Sequence, residues 1–168
     1  MVAAGEAGGN MAVRNQEGGF LVADRGPSEI RESRAIGADT ASGTACFLVA
    51  GPGAVLERNV AVGCTIGFRA VIGSRFTNNA ALYSRGPLDP QEGPGAGFLL
   101  FEFPGAKQGY IVEGNTSNGN QSAGFVLGGD PFNVLAAWIR SFRNNSAIGN
   151  VGAGIVLQDS PGKRLAWQ

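Results

Sequence analysis

The stretch Asn115-Thr116-Ser117-Asn118-Gly119-Asn120-Gln121-Ser122-Ala123-Gly124-Phe125-Val126-Leu127 decides the fold, because it recurs. Asn145-Ser146-Ala147-Ile148-Gly149-Asn150-Val151-Gly152-Ala153-Gly154-Ile155-Val156-Leu157 is a second copy, and Asn10-Met11-Ala12-Val13-Arg14-Asn15-Gln16-Glu17-Gly18-Gly19-Phe20-Leu21-Val22 is a third. The shared pattern is N-x-[AS]-x-x-N-x-x-x-G-[FI]-x-[LV]. Repeats of this length mark a solenoid in which every coil carries one pattern.

Weaker copies extend the register when aligned on the first asparagine: Ser33-Arg34-Ala35, Asn59-Val60-Ala61 and Asn79-Ala80-Ala81. Two places after this anchor every residue is small: Ala12, Ala35, Ala61, Ala81, Ser117 and Ala147. Three places before it sit Ile30, Leu56, Phe76, Val112 and Phe142, all apolar, and the next place holds Arg31, Glu57, Thr77, Glu113 and Arg143, all polar. Apolar and polar columns side by side are the period-two mark of a strand with one buried face. A further short strand follows each anchor, marked by Phe20, Phe47, Phe68, Phe98, Phe125 and Ile155. These markers are 27, 21, 30, 27 and 30 residues apart, so the turns absorb insertions and long helices have no room.

Stacked coils pair each strand with its equivalent one coil on, about 4.8 Å away, and six coils make a rod of roughly 30 Å. Like side chains then stack on like. The marker residues, Ile155 included, are expected inside. Asparagines at a bend are expected to hydrogen-bond along the stack and to supply the turn through left-handed backbone conformations.

Composition bounds the rest. The 168 residues fit a single domain over 1–168, and 43% hydrophobic content suffices for a core. The 28 glycines follow no collagen period and read as tight turns. Thirteen basic and thirteen acidic residues cancel, which gives no electrostatic case for nucleic acid or an anionic membrane. No apolar run reaches the length of a membrane span, and Met1-Val2-Ala3-Ala4-Gly5-Glu6 does not read as a signal peptide. Cys46 takes the glycine place before Phe47, whereas Cys64 takes the place of Asn120 and Asn150. Different columns imply no pairing, so two buried free thiols are expected, with a disulfide as the alternative.

The run N-x-[AS]-x-G-N-x-x-x-G-F resembles the repeat of right-handed parallel β-helix proteins, the pectin-lyase-like superfamily, and the resemblance covers Asn10 to Leu157. It implies an all-β, right-handed parallel β-helix with an asparagine ladder. It does not imply one activity, since the superfamily holds lyases, hydrolases, epimerases, tailspikes, adhesins and ectodomains. The catalytic runs of that superfamily do not match: Asn115-Thr116 is followed by Ser117, and Trp138-Ile139 by Arg140 and Ser141. The chain has no histidine, which excludes Ser-His-Asp and Cys-His catalysis and His-ligated zinc.

What remains is an acidic column, Asp24, Glu102, Asp130 and Asp159, each beside or near glycine or proline. Glu102, Asp130 and Asp159 on neighbouring coils suit oxygen ligation of Ca²⁺ or sugar hydroxyls. The same residues are ordinary turn formers, and the expectation is no metal and no cofactor, with Ca²⁺ as the alternative. Trp138 and Arg140 follow that edge. Glu102, Asp130, Trp138 and Arg140 together gather the polar groups and apolar platform of a carbohydrate-binding site. By the resemblance, Arg140 is the candidate base for β-elimination. Parity from an inward Phe142 points Arg140 inward, a costly burial, so the strand is expected to begin after Arg140. The proline-rich stretch 86–95 reads as a surface loop.

The expected function is a non-catalytic extracellular scaffold or carbohydrate-binding module with a polysaccharide or other glycan as partner. The alternatives are a polysaccharide lyase or epimerase using the Asp130/Arg140 edge, and a repeat segment of a large cell-surface ectodomain. No capping helix is read at either end. Solenoids need polar caps, so the chain is expected to be a fragment of a longer solenoid or to stack end to end.

Overall fold

The structure, a computed structural model, describes residues 6–15, 18–23, 28–37, 45–86, 95–101, 109–128 and 139–157. They form eighteen short strands in six coils, with no helix among the described residues. The first coil is β1 (Glu6–Gly8), β2 (Met11–Val13) and β3 (Phe20–Val22), and the second is β4 (Glu29–Arg31), β5 (Arg34–Ile36) and β6 (Ala45–Val49). The third is β7 (Val55–Glu57), β8 (Val60–Val62) and β9 (Ile66–Ala70), and the fourth is β10 (Arg75–Thr77), β11 (Ala80–Leu82) and β12 (Phe98–Leu100). The fifth is β13 (Tyr110–Glu113), β14 (Thr116–Asn118) and β15 (Phe125–Leu127), and the sixth is β16 (Ile139–Arg143), β17 (Ser146–Ile148) and β18 (Ile155–Leu157). Each position in the coil contributes to its own six-stranded parallel sheet, giving three sheets and a parallel β-helix.

The sequence columns are the registers of these sheets. In the first sheet Ile30, Leu56, Phe76, Val112 and Phe142 align inward, and Arg31, Glu57, Thr77, Glu113 and Arg143 align outward. The column of small residues from Ala12 to Ala147 is the inner face of the second sheet. Its strands are three residues long, so one inward side chain per coil fills the narrow space between the other two sheets.

The markers line the third sheet. Rings of Phe20, Phe47, Phe68, Phe98 and Phe125 stack at 4.9, 4.8, 4.7 and 4.7 Å between centroids. The parallel repeat of about 4.8 Å imposes this spacing, and Phe76 meets Phe68 and Phe98 edge-on. The expected burial is incomplete at the two end markers: Phe20 is half-buried and Ile155 exposed, each flanked by a described coil on one side only. The outer face of this sheet is also apolar, with Ala45, Ile66, Ala96, Leu99, Phe101, Ala123 and Val126 buried in a second cluster. Strands buried on both faces read as unbroken apolar runs such as Phe98-Leu99-Leu100.

Two asparagine ladders run along the rod. Asn59, Asn79 and Asn115 each donate both backbone N–H and side-chain Nδ2 to the Oδ1 of the next rung, ending at Asn145, at 2.9–3.1 Å. The other Nδ2 proton goes to a carbonyl of the preceding coil: Ile30, Leu56, Phe76 and Val112 for the four rungs in turn. A buried amide so satisfied costs nothing in unmet hydrogen bonds. The second ladder passes from Ser84 through Asn120 to Asn150.

The ladder asparagines do not supply the left-handed turn, against expectation. That conformation belongs to the residue just before each anchor: Gly9, Glu32, Arg58, Asn78, Gly114 and Asn144, with φ between 52° and 66°. The rung itself stays in a conformation that aims its amide down the stack. A second left-handed corner follows the second sheet at Arg14, Gly37, Gly63, Tyr83, Gly119 and Gly149.

Two more expectations are corrected. Cys46 and Cys64 are bonded to each other, Cα atoms 5.8 Å apart, rather than free. The two columns face each other across adjacent coils. The same facing places hold Gly97 of the fourth coil with Asn120 of the fifth, and Gly124 of the fifth with Asn150 of the sixth. Also, β16 begins at Ile139 and so includes Arg140. Tyr110 pairs with Ile139 but Ile111 pairs with Ser141, so Arg140 is the extra residue of a bulge. The bulge breaks the parity from Phe142 and turns Arg140 out to solvent, where its charge carries no burial cost.

Candidate functional site: a groove along the first sheet

Of the residues predicted to form the site, Glu102, Asp130, Trp138 and Asp159 lie outside the described residues, as does Asp24 and the stretch 87–94. Arg140 is described. It lines an open groove of about 390 Å³ on the side of the rod, with Gly53, Ala54, Val55, Gly73, Ser74, Arg75, Gly109 and Ile111.

The groove follows from coil geometry. Residues 53–55, 73–75 and 109–111 are the same place on three successive coils, where the chain enters the first sheet. Glycines there leave backbone without side-chain cover, and the wall is built by the outward residues Val55, Arg75 and Ile111, which are in register. Arg75 is exposed. The bulge at Arg140 adds a second guanidinium at one end. The cleft therefore offers two guanidinium groups beside short aliphatic surface, a surface matched to carboxylates or other planar anions.

Next to the groove the outward column is tied into ion pairs. Glu29 meets Arg31 at 2.8 Å, Arg31 meets Glu57 at 3.6 Å, Glu57 meets Arg58 at 2.5 Å, and Arg58 meets Glu32 at 2.8 Å. At the other end Glu113 accepts from Ser141 Oγ at 2.6 Å and Arg143 Nε at 2.9 Å. These bonds, Ser141 first and Arg143 next, hold the Glu113 carboxyl below its usual range. The four glutamates Glu29, Glu32, Glu57 and Glu113 are thus each engaged by an arginine.

Sequence reasoning missed Arg75. The outward column it followed is the one after each inward residue. The column before it, Glu29, Val55, Arg75 and Ile111, is equally outward and contains the groove wall. Reading both flanks of the inward column would have found it. Among the described residues no three His, Cys, Asp or Glu side chains converge on a metal-sized site, and no helix is long and apolar enough to cross a membrane. No family model, curated protein or solved structure matches this chain.

Proposed function

We propose that this chain is a non-catalytic, extracellular β-helix scaffold that binds carboxylated glycan in the groove of Arg75 and Arg140. The observation that carries the reading is the pairing of two arginines in one open cleft on a rigid sheet, where repeated coils present a long polymer with a long surface. Trp138, Glu102 and Asp130, expected from the sequence as an aromatic platform and hydroxyl acceptors, belong to the same reading. The likeness of the repeat to the right-handed, pectin-lyase-like pattern agrees with a polysaccharide partner. The Cys46–Cys64 disulfide agrees with an oxidising, extracellular location.

The chemistry of the described residues supports the non-catalytic reading. Proton abstraction needs a base within hydrogen-bond reach of the substrate proton. Glu29, Glu32, Glu57 and Glu113 are each engaged by an arginine, and a charged guanidinium carries N–H donors and no acceptor lone pair.

The test is calorimetric titration of uronate oligosaccharides and of neutral glucan oligosaccharides into the chain, alongside Arg75→Ala/Arg140→Ala. Binding of the uronate alone, weakened about tenfold or more by the double substitution, is the expected result. Equal binding by the double variant removes the groove. Release of unsaturated uronate products by the unaltered chain, lost in Arg140→Ala, overturns the scaffold in favour of a lyase.

A further inference from the structure

The two end faces of the described stack are complementary in chemistry, and this complementarity points to a partner. Every rung of the first ladder donates toward the following coil and accepts from the preceding one. At the sixth coil the polarity leaves donors: the Asn145 and Asn150 backbone N–H groups have no acceptor among the described residues, and Asn145 Nδ2 uses one proton, on Val112 O. At the first coil it leaves an acceptor. Asn10 sits in the rung conformation, its Nδ2 donating to Gly8 O at 3.0 Å as Asn115 Nδ2 donates to Glu113 O at 3.1 Å. Asn10 Oδ1 has no donor among the described residues.

The apolar columns are unfinished at the same places. Val13 is 47% exposed and Ile148 65%, although Ile36, Val62 and Leu82 between them are half-buried by their stack neighbours. Val151 is 82% exposed, and Ile155 and Leu157 are open above β18. Among the described residues no strand pairs with the outer edges of β16, β17 and β18, which are a template for a further strand.

We propose that the chain assembles head to tail with further copies of itself, the sixth coil of one receiving the first coil of the next. The sequence register sets the junction: Asn10 over Asn145, Ala12 over Ala147, Val13 over Ile148, Phe20 over Ile155 and Val22 over Leu157. The ladder, the small-residue column and the ring stack all continue across it. Because the backbone N–H to Oδ1 bonds of the ladder run only in this sense, two identical ends do not match. The contact joins different faces of the same molecule and stacks copies along the coil axis, so the assembly is a linear rod.

Sedimentation velocity of the 168-residue chain at low ionic strength, over a range of concentrations, tests this with two surface variants. The unaltered chain is expected to form a concentration-dependent series of rods. Val13→Lys/Ile148→Lys sets lysine against lysine at each junction and is expected to weaken assembly about tenfold or more. Val13→Glu/Ile148→Lys sets opposite charges there and is expected to assemble at least as well as the unaltered chain. Both positions are exposed, and circular dichroism verifies that the three proteins share one fold. A monomer at every concentration, or equal assembly by the lysine pair, overturns the proposal. Dissociation of the Glu/Lys variant alongside the Lys/Lys one overturns the head-to-tail polarity.

Discussion

Gly97 and Asn120 face each other across adjacent coils: a Cβ built on Gly97 would lie 2.9 Å from Asn120 Nδ2 and would overlap Ser117 Oγ. The glycine column of the repeat is therefore set by packing. Gly97 does not have a positive φ, and alanine there fails for lack of space. Gly97→Ala is expected to lower stability by about 3 kcal/mol or more. Gly149→Ala, at φ 65° with nothing within 4 Å of its Cβ, is expected to cost only the backbone strain of about 1–2 kcal/mol. Urea unfolding of the two variants measures both, and a loss at Gly97 no larger than that at Gly149 would show that space does not set the column.

The disulfide occupies the same pair of places, two coils earlier. Cys46 and Cys64 close a loop of sequence separation 18, so cleaving the bond is expected to cost about 3 kcal/mol. Unfolding with and without reductant gives the difference. Cys46→Gly/Cys64→Asn restores the pair used by the fourth and fifth coils. It is expected to recover part of that loss relative to Cys46→Ala/Cys64→Ala, which fills the glycine place and leaves no rung.

Rungs inside the ladder should matter more than rungs at its end. Asn79 serves Asn59 above and Asn115 below and is buried, whereas Asn145 is half-buried with one neighbour. Asn79→Leu strands the N–H of Asn59 and the carbonyl of Leu56, and each unmet group costs about 1–3 kcal/mol. Asn145→Leu is expected to cost about 1–3 kcal/mol in all. Equal losses at the two positions in thermal unfolding would mean that the asparagines act only as turn formers.

Glu113 gives the pH prediction. Its carboxyl is held low, first by Ser141 and then by Arg143. A depressed carboxylate stabilises the fold fully above its unfolded value, about 4.3, and that contribution is lost as the pH falls through the folded value. Exposure screens the pair, so the contribution is a fraction of about 1 kcal/mol. In a carbon-detected NMR titration Ser141→Ala and Arg143→Ala are each expected to raise the Glu113 midpoint. An unchanged midpoint in Ser141→Ala would show that its hydroxyl does not hold the carboxylate.

The columns were readable because a β-helix lays equivalent residues over one another, so in-line periodicity is contact. Phe47 above Phe20 and Ala61 above Ala35 are the same statement in sequence and in space. Contacts across the interior are a different matter. Nothing in the spacing says that the place of Cys46 faces the place of Cys64 on the next coil, and the disulfide was missed for that reason. The left-handed residue was misplaced by one position because Asn is both a good rung and a good turn former, and composition does not separate the two at Asn78 and Asn79. Arg140 was turned inward on paper because alternation is counted from a reference, and one inserted residue between Ile139 and Ser141 inverts the count. The groove wall at Arg75 stood in a column that was not followed. The remaining site residues, Glu102, Asp130 and Trp138, lie outside the described residues.

The covalent link between the second and third coils also has a mechanical meaning. Tension applied to the two ends of a solenoid peels it coil by coil, each strand leaving its edge in turn. The Cys46–Cys64 bond shunts the load past the intervening segment of separation 18, hiding roughly 60 Å of contour length that only a reductant releases. Under force the coils before Cys46 and after Cys64 are expected to pay out from the two edges, while the segment between the cysteines stays held.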